Sequence, residues 1–364
     1  MAFPPQQVTA QETIRPDGTL ALPYLDAALR EAGFDSDILD MSLGTPADRL
    51  EDTFYRKVQI SERFTRIGMS PDRLIEVAAD YDVVALTSIF TQQTSQCLEV
   101  GRLVKEAFPE KLLVAGGVNA RSLREHFLDH GFDVIFLSEG EKPIVQLAAS
   151  LHSGQPALCD IEGIAYRRGG QTIVNPVGRL TLDIDEYPMP SWRKLPNERY
   201  WEISRIWGGR EGWIAPGVHP RYASIFTSRG CPFSCTYCHI SKERANDVAG
   251  DIATLRLHSL ERVEQELQCL KGLTVDHLFI NDDSFLAKKN RVHKILRILR
   301  AYNFTLADVN GVNIIHLFTR TRSNRLVVDE GLLEALHQAG FRKISLPFES
   351  GTQRLLDKYS TKKW

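Results

Sequence analysis

Three cysteines within eight residues, Cys231, Cys235 and Cys238, constrain this chain more than any other feature. The stretch 228–240 reads S-R-G-C-P-F-S-C-T-Y-C-H-I, a C-x3-C-x2-C spacing. It follows the apolar run Tyr222-Ala223-Ser224-Ile225-Phe226, so it reads as a loop at a strand end. Thiols this close cannot all pair as disulfides, but they can close on one metal centre. Three ligands satisfy three irons of a four-iron cluster and leave the fourth open, as reactive metal sites keep a free position. Two plainer readings stand beside this one. They are coincidental clustering and a structural zinc site, for which His239, adjacent to Cys238, is poorly placed as fourth ligand.

Composition narrows the setting. A chain of 364 residues with 43% apolar content can build two cored domains. A net charge of −2 with both signs interspersed gives no footprint for nucleic acid. No apolar run approaches the length of a membrane span, and the start, M-A-F-P-P-Q-Q, has neither a basic nor an apolar leader region. Six cysteines, three of them clustered, indicate a reducing compartment, so the cytoplasm is the expected location. Cys97, Cys159 and Cys269 are isolated and read as ordinary small side chains.

Along the chain, a helix is expected from Leu20 to Gly33, a strand over 34–41 and a loop with a helical piece over 42–70. Helices over 72–79, 95–108, 121–130 and 142–152 then alternate with strands over 82–88, 111–115 and 133–137. This alternation predicts an α/β fold with a Rossmann-like, doubly wound parallel sheet, whose ligand sits beyond the carboxyl ends of the strands. Those ends carry Thr87-Ser88, Gly116-Gly117-Val118 and Ser138-Glu139-Gly140, small groups that either let a ligand approach or simply make tight turns. A hairpin about Gly169-Gly170 reads as a separate unit, and the Pro-rich 187–192 as a linker. Tyr200, Trp201, Trp207 and Trp213 line a substrate pocket or, more cheaply, pack a linker onto the next domain. From Arg221 onward, strands are expected over 222–226, 275–280, 312–318 and 343–348, with helices between them. Functional groups at successive strand ends are what the active face of a βα barrel requires. The division expected is 1–155, 156–220 and 221–364.

The loop C-P-F-S-C-T-Y-C, with Tyr237 as its aromatic, resembles the radical S-adenosylmethionine (SAM) superfamily. The resemblance implies a partial TIM-like barrel, a [4Fe-4S] cluster on Cys231, Cys235 and Cys238, and SAM chelating the open iron. Reductive cleavage then yields a 5′-deoxyadenosyl radical, with electrons from a flavodoxin- or ferredoxin-type donor. Tyr237, Asp282, Asp283, Glu349 and Ser350 are the residues it places near SAM. Asp282-Asp283 stands where the superfamily carries Gly-Gly-Glu, and Glu349-Ser350-Gly351 matches its E-S-G turn. Helix capping is the plainer role for the Asp pair.

The L-x-Y-L-x-x-A-L-R-x-x-G helix, G-G-V-N-A and S-E-G-E-K-P turns look like the cobalamin (B12)-binding domain of many radical SAM enzymes, over residues 4–155. This implies a corrinoid resting on Thr87, Ser88, Gly116, Gly117, Val118, Ser138, Glu139 and Gly140. No D-x-H-x-x-G is present, so cobalt binding without a protein imidazole is expected. The first strand of such a domain falls ahead of Phe3, where only two residues precede it, so a late start or a missing strand is expected. Four βα units are countable where the superfamily has about six, so a truncated chain or a partner chain completing the barrel is expected. The reaction implied is methyl transfer to an unactivated carbon of a small-molecule substrate. The alternatives are a radical cyclisation or rearrangement, and an inactive remnant that only binds cluster or corrinoid. A tRNA-modifying role fits poorly with the neutral charge.

Overall fold

The computed structural model describes residues 1–9, 19–207, 220–244 and 247–359. Trp213 and the side chain of Trp207 lie outside what is described. Two compact units result: Met1–Arg179 with Tyr187–Tyr200, and Leu180–Glu186 with Trp201–Trp364.

The first unit is built on strands β1 (Ala2–Phe3), β3 (Leu39–Asp40), β6 (Val83–Thr87), β7 (Leu112–Gly116) and β8 (Val134–Phe136). They lie in the order β8-β7-β6-β1-β3, all parallel, with Thr87 opposite Gly116 and Ala115 opposite Ile135. Their apolar residues alternate between two faces, as a sheet covered on both sides demands. Leu113, Ala115 and Ile135 pack with α2 (Pro71–Ala78), α3 (Thr94–Ala107), α4 (Val118–Ser122) and α5 (Arg124–Asp129). Val114, Val134 and Phe136 pack with α1 (Ala21–Glu31) and α6 (Glu141–Ser153). Burying each of these Leu, Ile, Val and Phe side chains contributes ~1.5–3 kcal/mol. Strand order reverses between β1 and β6, which makes their carboxyl ends the switch point of the sheet.

Several expectations change here. The first strand is present, although only Ala2–Phe3 form it. The strand expected over 34–41 shrinks to Leu39–Asp40. Residues 42–70 are not a loop with a helical piece: β4 (Lys57–Gln59) and β5 (Phe64–Ile67) pair antiparallel, and β5 also pairs with β2 (Gln6–Thr9). The helix expected over 121–130 is broken at Leu123 into α4 and α5. The hairpin of β9 (Ile164–Arg168) and β10 (Gln171–Val174) does not stand apart, because β9 adds antiparallel to β8 and extends the sheet to seven strands.

Helix α7 (Asn197–Trp207) carries Tyr200, whose hydroxyl donates to Asp40 Oδ2 at 3.1 Å within the first unit. The second unit contains β11 (Tyr222–Ile225), β14 (His277–Ile280), β15 (Thr305–Asp308) and β18 (Phe341–Lys343), parallel and in sequence order. Helices α8 (Leu260–Gly272), α9 (Lys289–Tyr302) and α10 (Glu330–Ala339) connect them, so the βα alternation of a barrel wall is realised. Trp201 is buried within this unit and its Nε1 donates to Tyr222 O at 2.9 Å, which makes it a packing residue. The third strand is Thr305–Asp308, not 312–318. That later run becomes a 3-10 turn (Ile314–Leu317) leading into β16 (Phe318–Arg320), which pairs with β17 (Leu326–Val328). The fourth strand ends at Lys343, and α11 (Gln353–Tyr359) follows the E-S-G turn.

Candidate cofactor sites

The cysteine loop is anchored before its first thiol. After β11, β12 (Ser228–Arg229) pairs antiparallel with β13 (Arg256–Leu257). Gly230 has φ +81°, and a Cβ there would press on the carbonyl oxygens of Ala253 and Thr254, 2.6 Å from the former. Only glycine fits that approach. Cys231 N then donates to Ala253 O at 2.9 Å. Arg244 Nη2 donates to Cys231 O (3.2 Å) and Phe233 O (2.9 Å), and the Phe233 ring lies 5.4 Å from that of His316.

Asp282, at the end of β14, holds the loop from below. Its fully buried carboxylate accepts from Thr227 N, Thr227 Oγ1 and Ser228 Oγ, each at 2.6 Å. Arg291 donates to Thr227 Oγ1 (3.2 Å) and Thr227 O (2.8 Å) from the side of α9. Burial raises the pKa of Asp282, while those donors pull it down. Asp282 therefore neither caps a helix nor faces an open site; it fastens the strand end to the loop.

All three loop cysteines are free thiols, Cys235 buried and the other two partly exposed. Burial pushes the Cys231 thiol up, and the carboxylate of Asp283 and the thiol of Cys238 act on it in the same direction. A bound cation reverses that balance and takes the thiolates as ligands. Among the described residues no three His, Cys, Asp or Glu side chains converge on one metal ion. His239 turns towards Glu243, 4.0 Å away, rather than completing a tetrahedron. Thiols that each take a separate iron of a cluster do not have to converge, so the donor set fits the cluster better than a single zinc.

Around the loop stand the other candidates. Asp283 Oδ2 accepts from Gly230 N at 3.2 Å, and burial, then the charge of Asp282, lifts its carboxyl to about 6. Tyr237 is 46% exposed, and its phenol is held protonated by burial and then by its hydrogen bond to Glu349, with Cys235 also acting on it. Glu349 sits at φ +59°, an uncommon conformation for a non-glycine residue, just past the fourth strand. Ser350 turns away, its N donating to Phe348 O (2.6 Å) and its Oγ meeting Thr352 Oγ1 (3.2 Å). Sequence reasoning missed Arg244, Arg291 and the buried Asp308. The carboxyl of Asp308 accepts from Gly311 N at 2.9 Å, and burial lifts it to about 6.

In the first unit, the expected residues line one edge. Thr87 and Ser88 are buried, and Asn119 Nδ2 donates to Ser88 Oγ at 2.8 Å. Gly117 has φ +104°, and a Cβ there would lie 2.5 Å from Ser88 O, so neighbouring strand ends meet backbone to backbone. Val118 opens α4, and Gly140 precedes α6. Glu139 Oε2 accepts from Tyr187 Oη at 3.1 Å. Gln96, in the first turn of α3 at the same edge, is buried with its Oε1 unpartnered. An orphaned amide oxygen beside a glycine edge suits a flat ligand rimmed with amide donors, which is what a corrinoid presents.

Two family profiles match this chain: the Radical SAM superfamily over residues 225–364 and the B12 binding domain over residues 18–148. Over residues 225–364 the chain is similar to the radical SAM superfamily. The residues matched by the first profile contain the cysteine loop, and those matched by the second contain the glycine edge. Among curated relatives, the cytidylyl-2-hydroxyethylphosphonate methyltransferase of Streptomyces wedmorensis is 25% identical over 365 residues, covering 93% of this chain and 62% of that protein. The cobalamin-dependent radical SAM methyltransferase TokK of Streptomyces tokunonensis is 29% identical over 210 residues, 56% of this chain and 28% of that one. The chain thus spans less than two thirds of the length of the relatives it matches. Among solved structures, the radical SAM methyltransferase TsrM of Kitasatospora setae superposes with TM-score 0.66 at 17% identity, covering 98% of this chain and 60% of that one. At that identity the likeness is one of fold. No helix among the described residues is long and apolar enough to cross a membrane.

Proposed function

We propose that the chain is the cofactor-holding part of a cobalamin-dependent radical SAM methyltransferase acting on a small molecule. The observation that carries this reading is the loop 230–238. Backbone and polar contacts fix its base, and its three cysteines are free thiols beside Asp283 and the Tyr237–Glu349 pair. When bound, the cluster, SAM and cobalamin supply a 5′-deoxyadenosyl radical and a methyl group for transfer to an unactivated carbon.

The residues divide that work. Cys231, Cys235 and Cys238 hold the cluster. Asp283, whose raised pKa marks an anion in need of a cation, takes the ammonium group of SAM. Tyr237, with Glu349 as its hydrogen-bond partner, borders the same face. Thr87, Ser88, Gly116, Gly117, Val118, Ser138, Glu139 and Gly140 form the seat for the corrinoid, with Gln96 as a further acceptor. The reading includes a flavodoxin- or ferredoxin-type donor, further barrel wall from a longer protein or partner chain, and a cytoplasmic location.

Anaerobic reconstitution with iron and sulfide tests the cluster. Wild type should show the charge-transfer absorption and about four irons per chain. A Cys231→Ala, Cys235→Ala, Cys238→Ala variant that retains the same iron and spectrum refutes the assignment. SAM with dithionite should then release 5′-deoxyadenosine. Label from methyl-labelled SAM appearing in the product separates transfer from cyclisation.

A further inference from the structure

Behind the cysteine loop lies a buried set of charged groups that the proposed function does not use. Glu266 on α8 is fully buried; its Oε1 accepts from Arg262 Nε at 2.7 Å, and its Oε2 has no hydrogen-bond partner. His258, just before the Ser259 cap of α8, is also buried. Its Nδ1 meets Asp185 Oδ1 at 2.7 Å and its Nε2 has no partner. The charged groups acting on Glu266 are Arg262 of its own helix, Arg229 of β12 and Asp185 of the 184–186 turn, and His258 shares all three. Arg256 of β13, opposite Arg229, directs its guanidinium to the carbonyls of Thr181, Ile252 and Thr254. Arg291 of α9 donates to Thr227 O and to His258 O.

A buried carboxylate with one unmet oxygen is costly, whereas the neutral acid is tolerated there. Burial accordingly lifts Glu266 to about 7 against the pull of Arg262 and Arg229, so its proton is exchangeable near neutral pH. Arg229 links this group to the loop, because it stands two positions before Cys231. Negative charge added to a loop that begins just beyond Arg229 makes the Glu266 anion less favourable and so favours proton uptake.

We infer that Glu266 is a proton-accepting positioning residue for the cluster loop, binding one proton when one electron enters a cluster held by Cys231, Cys235 and Cys238. The inference rests on the cluster reading above. A low-potential one-electron donor of the flavodoxin or ferredoxin class loses one electron, and the cluster gains it. One proton passes from hydronium to the Glu266 carboxylate, an O–H bond of hydronium breaking as the carboxyl O–H forms and water leaving, and the charge of the buried region stays constant.

The test is a mediated redox titration of the reconstituted full chain, followed by electron paramagnetic resonance, from pH 5.5 to 9. In wild type the midpoint potential should fall as pH rises through Glu266's titration. A tenfold change in its acid constant between oxidised and reduced forms spans about 59 mV. Glu266→Gln, neutral at every pH, should hold the potential at the low-pH limit throughout. A flat wild-type profile, or an unchanged slope in Glu266→Gln, overturns the inference. Should that variant fail to fold, the redox-difference infrared spectrum of wild type with carboxyl-labelled glutamate decides: a carboxylic C=O band gained on reduction that shifts with the label supports Glu266, and a band that is absent or unshifted refutes it. A chain that assembles no cluster refutes both readings, and iron analysis identifies that case.

Discussion

Removing the Asp282 carboxylate should loosen the cysteine loop without dissolving the strand beneath it. In Asp282→Ala the buried amide of Thr227 and the hydroxyls of Thr227 and Ser228 lose a common acceptor, and Arg291 loses the larger of the two negative charges acting on it. Each unmet buried donor costs ~1–3 kcal/mol, but the hydroxyls can rotate to other acceptors and the burial penalty of the carboxylate itself disappears. A net loss of ~3 kcal/mol in the local stability of this junction follows, about a 150-fold rise in its opening constant. Native-state hydrogen exchange reads it directly. The amides of Thr227 and Cys231 should exchange ~100-fold faster, while those of Leu306 and Ala307, in β15, change much less. Iron uptake on reconstitution should fall in parallel. If the Thr227 amide keeps its wild-type protection and iron loading is unchanged, Asp282 does not fasten the loop and the reasoning fails.

Other perturbations have equally definite outcomes. Gly230→Ala forces a side chain at φ +81° against two carbonyls and should lose most iron loading while the far-ultraviolet circular dichroism is retained. Gly117→Ala meets the Ser88 carbonyl and should abolish corrinoid retention measured by visible absorption after gel filtration. Burial lowers His258 to about 4, below its unfolded value of ~6.5. Its contribution is therefore fully present above pH ~6.5 and is lost as pH falls towards 4, on the order of 3 kcal/mol. His258→Gln should accordingly lose less thermal stability than wild type between pH 7 and pH 5; an equal loss excludes the assignment.

The cysteine spacing and the alternation of apolar strands with amphipathic helices made the two candidate sites legible, because both signals are local. What escaped depended on pairing at a distance. The β4–β5 hairpin carries exposed, mixed residues such as Lys57 and Phe64 and no Asn-Gly or Gly-Gly turn, so its antiparallel register is invisible in the sequence. The run 312–318 is richly apolar yet forms a 3-10 turn, while Thr305-Leu306-Ala307-Asp308 becomes the strand. Asn303, left-handed at φ +52°, ends α9 early enough for that four-residue strand to reach the sheet. Asp282 and Asp283 are adjacent in sequence, and only the fold gives one to the interior and the other to the loop face. Glu266 reads as one more polar helix residue until α8 packs it away from water.

The way the loop is seated also bears on how it can be studied and engineered. Its foundation includes Asp282, Arg291, Gly230 and the β12–β13 ribbon, all of them outside the three cysteines. Much of the scaffold is thus separable from the thiols, so the side chains at 231, 235 and 238 can be exchanged while these contacts at the base are kept.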